Sequence, residues 1–176
     1  MLRSLYLVLV ASLVGCSGVQ EKPEPTPLKR IDAVVELDEV ESISLGGGDQ
    51  TGLAPAVQGE VVAAASASGE VYLLNSELDE VWDVDLDRTI LGGTALNSTN
   101  VYVVTSDAVL VALARGDGTK VFETVLPGSA TVPPVATDSL VFVKTQIGRI
   151  LAVNAQTGAT VWVEEAKESG VSIRGG

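Results

Sequence analysis

Few residues of this 176-residue chain have the type and spacing to do chemistry, and most of those fail on stereochemistry. Asp83, Asp85 and Asp87 stand at alternate positions, like the opening of a calcium-binding loop. Arg88 then takes the place of the glycine and Thr94 that of the bidentate glutamate, so these acids read as outward-facing carboxylates on a strand. Residues 47–52, Gly-Gly-Asp-Gln-Thr-Gly, have the glycine spacing of a phosphate loop, but Leu53 stands where a lysine is required. Asn97-Ser98-Thr99 is formally a glycosylation sequon and reads better as a hairpin turn. The chain has no histidine, which removes imidazole acid–base chemistry, Ser-His-Asp and Cys-His catalysis and His-ligated metals together. What remains is one thiol, Cys16, which has no second cysteine with which to form an intramolecular disulfide.

The setting of Cys16 gives it a role. Arg3 precedes an apolar run over residues 5–14 that is too short to span a bilayer as a helix. The run ends Leu13-Val14-Gly15-Cys16, followed by Ser17, and this resembles the lipobox of bacterial lipoproteins. The resemblance implies that residues 1–15 are a signal peptide and that Cys16 is the lipidated first residue of the mature chain. That covalent lipid would be its only prosthetic group, with no cofactor and no metal. Ser17, where aspartate would retain a lipoprotein in the inner membrane, implies sorting to the outer membrane, on its periplasmic face. Residues 16–30 carry three prolines at alternate positions and almost nothing apolar, the composition of an extended, solvated tether.

The elements that follow are strands. Hydrophobic residues make up 46% of the chain but aromatics only 4%, and valine and alanine dominate, a mixture suited to many short strands. Val84 and Leu86 alternate with acids, and Val101-Tyr102-Val103-Val104 and Leu140-Val141-Phe142-Val143 are β-rich runs bounded by turn residues. The net charge of −12 argues against nucleic acid as a partner, because phosphate binding needs clustered lysine and arginine.

These strands recur with a period of 40 residues. Trp82, Phe122 and Trp162 are spaced by 40, as are Val61, Val101 and Val141, and Leu73, Leu113 and Val153. Thr105 lies over Thr145 and Gly118 over Gly158, while the first copy is shifted by one residue from Gly69 to Asn75 and has a shortened last turn at Ser76-Glu77-Leu78-Asp79. A 40-residue period with four short β segments per copy is the signature of propeller blades, each covering the next, with the large aromatic filling the space between them. The Trp82-Asp83 dipeptide of another propeller class does not repeat at the later copies.

The third copy, Ala152-Val153-Asn154-Ala155-Gln156-Thr157-Gly158-Ala159-Thr160-Val161-Trp162, resembles the repeat of PQQ-type propellers. The order of lipobox, proline-rich tether, Ser42-Ile43-Ser44-Leu45-Gly46, Leu53-Ala54-Pro55-Ala56-Val57, Gly92-Gly93, Val132-Pro133-Pro134-Val135 and Val171-Ser172-Ile173-Arg174-Gly175 is similar to the BamB family of lipoprotein scaffolds. Glu41, where that family usually has an aromatic, and Ala114, where the repeat usually has Asp or Asn, depart from the pattern.

The resemblance implies an all-β fold, a β-propeller of PQQ-like repeats. About three blades of an expected eight would be present, as an N-terminal portion. Residues 31–46 would close the last blade, 53–86, 93–126 and 132–165 would form blades one to three, and 166–176 would begin the fourth. It also implies a non-enzymatic scaffold of the outer-membrane β-barrel assembly complex, docking on the complex's central assembly protein through Val171, Ile173 and Arg174. A propeller lipoprotein with another partner and a quinoprotein dehydrogenase fragment are the alternatives, since a repeat shared with quinoproteins fixes fold and not function.

Overall fold

The computed structural model describes residues 41–46 and 53–165. The expected signal peptide, the tether, residues 31–40 of the closing strand, the 47–52 glycine stretch and residues 166–176 lie outside the described residues. The described residues hold twelve strands and no helix.

The strands form three four-stranded antiparallel meanders. The first sheet contains β1 (Ala56–Gln58), β2 (Val61–Ala65), β3 (Glu70–Asn75) and β4 (Glu80–Asp85). The second contains β5 (Ile90–Leu96), β6 (Asn100–Thr105), β7 (Val109–Ala114) and β8 (Lys120–Val125). The third contains β9 (Val135–Ala136), β10 (Leu140–Lys144), β11 (Arg149–Asn154) and β12 (Thr160–Glu165). These are propeller blades, stacked face on face.

Burial follows from the stacking. The second sheet is covered on both faces, so all six residues of β6 are buried and alternation disappears. The face of the first sheet that carries Ala63, Val71, Leu73 and Trp82 packs on Val101, Val103, Val111 and Leu113 of the second. The opposite face of the second sheet, with Tyr102, Val104, Leu110 and Ala112, packs on Val141, Val143, Leu151 and Val153 of the third. The outer strands β4, β8 and β12 are the most exposed, and valines 81, 121 and 161 stand out from them at the repeat spacing.

The pairing corrects the repeat alignment. Val61 opposes Asn75 as Asn100 opposes Ala114 and Leu140 opposes Asn154, so Val61 is equivalent to Asn100 and Leu140, not to Val101 and Val141. Likewise Leu73 opposes Trp82 as Ala112 opposes Phe122 and Ala152 opposes Trp162, and each sheet has its irregularity just after that pair. A one-residue slip moves a side chain to the other face of a strand. Val61 accordingly packs toward the second sheet, whereas Val101 points back at the first.

Two aromatics fill the inter-sheet space as expected, and the space expected for the third lies outside the described residues. Trp82 lies over the turn at Gly118, and its indole Nε1 donates to the Arg115 carbonyl at 3.0 Å. Phe122 lies over Gly158. Trp162 is 39% exposed and leans on Phe142 of its own sheet, with ring centroids 6.0 Å apart. No described sheet follows β12 to cover it.

Candidate docking surface

None of the four residues singled out from sequence falls in the described part. Cys16 precedes it, and Val171, Ile173 and Arg174 follow it, Val171 standing six positions after Glu165 at the end of β12. The described residues do show how the two ends of each blade are built, and the two ends are built differently.

At one end lie the turns β1–β2 and β3–β4 and their counterparts, held by side chains. Asn75 Oδ1 accepts from the backbone N–H of Glu77 and Asp79, and Asn154 Oδ1 does the same for Gln156 and Thr157. Asp117 accepts from the Thr119 N–H and hydroxyl, and these bonds hold its carboxyl below the usual range. Asp138 is lowered likewise by the Ser98 hydroxyl and N–H of the neighbouring sheet.

Asn97 is almost wholly buried, 1% exposed. Its Oδ1 accepts from the Thr99 and Asn100 N–H groups, and its Nδ2 donates to Tyr102 and to the Thr137 carbonyl. The sequon is therefore a turn, with its amide committed to the core. Beside it Tyr102 donates its hydroxyl to the Ala155 carbonyl at 2.9 Å and accepts from Asn100 Nδ2 at 3.2 Å, and burial pushes the phenol pKa up. Arg115 spans the first two sheets, donating to Gln58 Oε1 at 2.8 Å and to the Asn97 carbonyl at 3.0 Å. Neither Asn100 nor Arg115 stood out in the sequence, and Tyr102 stood out only as part of a β-rich run. A polar residue at a strand start and a tyrosine inside a valine run were the available signals.

At the other end lie the hairpins β2–β3, β6–β7 and β10–β11 and the links that lead from one sheet to the next. Ser66, Thr105 and Thr145 open the three hairpins, all buried. The Thr105 and Thr145 hydroxyls donate to the Val109 and Arg149 carbonyls, while Ser66 Oγ accepts the Glu70 N–H. The links are stitched by main-chain bonds on both sides. Leu86 N–H donates to Gly69 and Leu126 N–H to Ala108, within a blade. Ser106 N–H donates to Thr89 and Gln146 N–H to Ser129, across to the next blade.

Charge on this second end centres on Arg88, which lies 3.4 Å from Glu123 and 3.9 Å from Asp107, with Lys120 3.0 Å from Glu123. Arg88, Lys120 and Glu123 rim a cleft of about 230 Å³ between β4 and β8, lined also by Val84, Leu86, Val111 and Leu113. Asp107 is held below the usual carboxylate range, first by the Thr105 hydroxyl. Asp85, from the calcium-like trio, accepts the Asp87 N–H and so caps its own turn. Among the described residues no group of three or more Asp, Glu, Cys or His stands together as a metal site.

Residues 67–176 match the family model described as outer membrane protein assembly factor BamB. The chain is 30% identical over 187 aligned residues to the outer membrane protein assembly factor BamB of Yersinia pestis, covering 96% of this chain and 48% of that protein. It therefore spans about half the length of curated relatives it matches. The crystal structure of BamB from Moraxella catarrhalis superposes with a TM-score of 0.61 at 26% identity, over 70% of this chain and 38% of that one. A quinohemoprotein alcohol dehydrogenase from Comamonas testosteroni is similar at 21% identity and a TM-score of 0.53, over 63% of this chain and 20% of that one, a likeness of fold alone.

Proposed function

The chain belongs to the BamB family, and from that premise we propose that it serves as a lipid-anchored scaffold at the periplasmic face of the outer membrane. There it assists the assembly of outer-membrane proteins by docking on the central protein of the assembly complex. The observation that carries the reading is the family match over residues 67–176, which reaches the Val171-Ser172-Ile173-Arg174 stretch. The chemistry suits an interface: two aliphatic side chains to bury on a partner, and a guanidinium to reach a carboxylate or a carbonyl. A scaffold rather than a catalyst also agrees with a chain that has no histidine and whose described Asp117, Asp138 and Asp85 are occupied as turn caps. The likeness to dehydrogenases concerns the blade and carries no chemistry with it.

The test is co-purification of the central assembly protein with the full chain, wild type against the double variant Ile173→Ala, Arg174→Glu. Losing an apolar anchor and reversing a charge at a desolvated contact should cost about 2 kcal/mol or more, roughly thirtyfold in affinity. The melting temperature should stay within a degree or two of wild type. A double variant that binds like wild type, or that loses binding only together with its fold, removes these residues from the interface.

A further inference from the structure

The wedge between neighbouring outer strands is built twice among the described residues, and the two versions differ at every charged position. Between the first and second sheets it holds Arg88, Asp107, Lys120 and Glu123. Forty residues on, between the second and third, the same places hold Gly128, Ile147, Thr160 and Val163. The link bonds fix the equivalence, since Ser106 N–H donates to Thr89 as Gln146 N–H does to Ser129. In the strands, Lys120 opposes Leu113 as Thr160 opposes Val153.

The uncharged version is shut. Ile147 Cγ1 lies 3.1 Å from the Cβ position of Gly128, and the Thr124 hydroxyl donates to the Gly158 carbonyl at 2.7 Å. The charged version stands open as the cleft of about 230 Å³. Val84, in the place of Thr124, has no hydroxyl to give, and Arg88 and Asp107 face each other at 3.9 Å. Both walls of the cleft are described sheets, so the opening belongs to this interface. The third sheet packs on the second without any of the four charges, so the quartet is not needed to hold blades together. Exposed pairs of this kind add little stability in any case.

Size and polarity together select the occupant. The cleft is smaller than the roughly 300–1,000 Å³ of small-molecule sites and has room for one large side chain. Its rim sums to zero, two cations against two carboxylates, so it offers an ion no net attraction. What it offers is donors. Both carboxylates reach Arg88 through Nη1 alone, at 3.4 and 3.9 Å, and each is already engaged, Glu123 by Lys120 and Asp107 by the Thr105 hydroxyl. Nε and Nη2 of Arg88 are left to donate, at the mouth of an apolar pocket.

We infer that this cleft is an anchor site for an extended, uncharged polypeptide segment. One large apolar side chain enters against Val84, Leu86, Val111 and Leu113, and Arg88 donates to carbonyls of the segment's main chain. The site is additional to the docking proposed for Val171, Ile173 and Arg174 and does not rest on it.

The experiment is a titration of the full chain in detergent, its leucine and valine methyl groups labelled for NMR, with the blocked peptide acetyl-Ser-Gly-Ser-Leu-Ser-Gly-Ser-amide. Methyl shifts should be confined to the cleft and saturate with a Kd on the order of 1 mM. Alanine in place of the peptide's leucine should weaken binding about tenfold or more. Two variants shut the cleft with residues that the next copy already uses: Arg88→Gly with Asp107→Ile, and Val84→Thr. Each should melt like wild type and bind the leucine peptide about tenfold more weakly or worse. The inference is overturned by the absence of saturable shifts up to about 10 mM peptide, by shifts that extend over the third sheet, or by equal binding of the alanine peptide. It also falls if a folded shut variant binds like wild type, or if both variants unfold, which would make the quartet structural. A peptide with aspartates in place of two serines that binds about tenfold more tightly would make the ligand a carboxylate instead, and would overturn it too.

Discussion

Replacing Gly118 by alanine is the most direct test of how the blades are held together. Gly118 is buried at φ +73°, and its new Cβ would meet Val84 Cγ2 at 2.7 Å and the Trp82 ring at 3.0 Å. Valine can turn about its one torsion, but the indole cannot withdraw without loosening its 3.0 Å bond to the Arg115 carbonyl. Two costs then add. Placing a non-glycine residue in the left-handed region costs about 1–2 kcal/mol. Overpacking a closed interface costs about 1–3 kcal/mol more.

Gly148 separates the two. It sits at φ +77° in the β10–β11 hairpin with nothing within 4 Å of its Cβ position, so Gly148→Ala meets the backbone cost alone. Gly118→Ala should therefore lose about 2–5 kcal/mol and Gly148→Ala about 1–2 kcal/mol. The assay is urea unfolding followed by tryptophan emission and circular dichroism, with the slope unchanged between variants so that midpoints report stability. Equal losses in the two variants, within about 0.5 kcal/mol, would mean that the turn glycines serve only their own backbone and not the close approach of the preceding sheet's aromatic.

Two further predictions concern Cys16 and Tyr102. Cys16→Ala should abolish incorporation of labelled palmitate and release the protein from the outer-membrane fraction, because stable anchoring depends on the acyl chains; a variant that still labels and fractionates normally sinks the lipobox reading. Tyr102→Phe should destabilise by about 1–3 kcal/mol, since it leaves the buried Ala155 carbonyl and the Asn97 and Asn100 amides short of a partner. Burial raises the Tyr102 pKa above the ordinary tyrosine value, so the folded state keeps its proton longer than the unfolded chain. The resulting stability is fully present below about pH 10 and is lost as pH rises from there through the folded pKa, so wild type should lose stability in that window more steeply than Tyr102→Phe. Parallel alkaline curves for the two proteins would contradict it.

The blades were legible because a propeller sheet has few degrees of freedom. Short valine and alanine runs, glycine turns and an aromatic every 40 residues specify strands, turn positions and sheet order almost alone. The slip in the first copy was half legible. Its shortened turn showed at Ser76-Glu77-Leu78-Asp79, but aligning Val61 with Val101 hid the consequence, because both are valines and either face of that strand is apolar. Only the pairing tells which face is which. The Asn97, Asn100 and Tyr102 network was not legible, because its partners are main-chain carbonyls on another sheet, and a carbonyl leaves no trace in sequence. Trp162 was expected to fill an inter-blade space like Trp82 and Phe122, and the described residues supply it with no neighbour beyond its own sheet.

The difference between the two ends of the blades bears on where a scaffold can bind. At the turn end the shape depends on particular side chains: Asn75, Asn97 and Asn154 each accept from two backbone N–H groups, and Asp117 from the Thr119 N–H and hydroxyl. Changing such a residue leaves buried or strained backbone groups unpaired, which costs stability whatever it does for a partner. The links are held differently. Leu86 to Gly69, Ser106 to Thr89, Leu126 to Ala108 and Gln146 to Ser129 are all main-chain bonds, which any residue but proline can donate. Leu126 and Ala130 on the links still pack in the core, but the outward side chains there can be chosen for what they touch. That is the end of the blade on which the sequence can change for a partner's sake at least cost to the propeller.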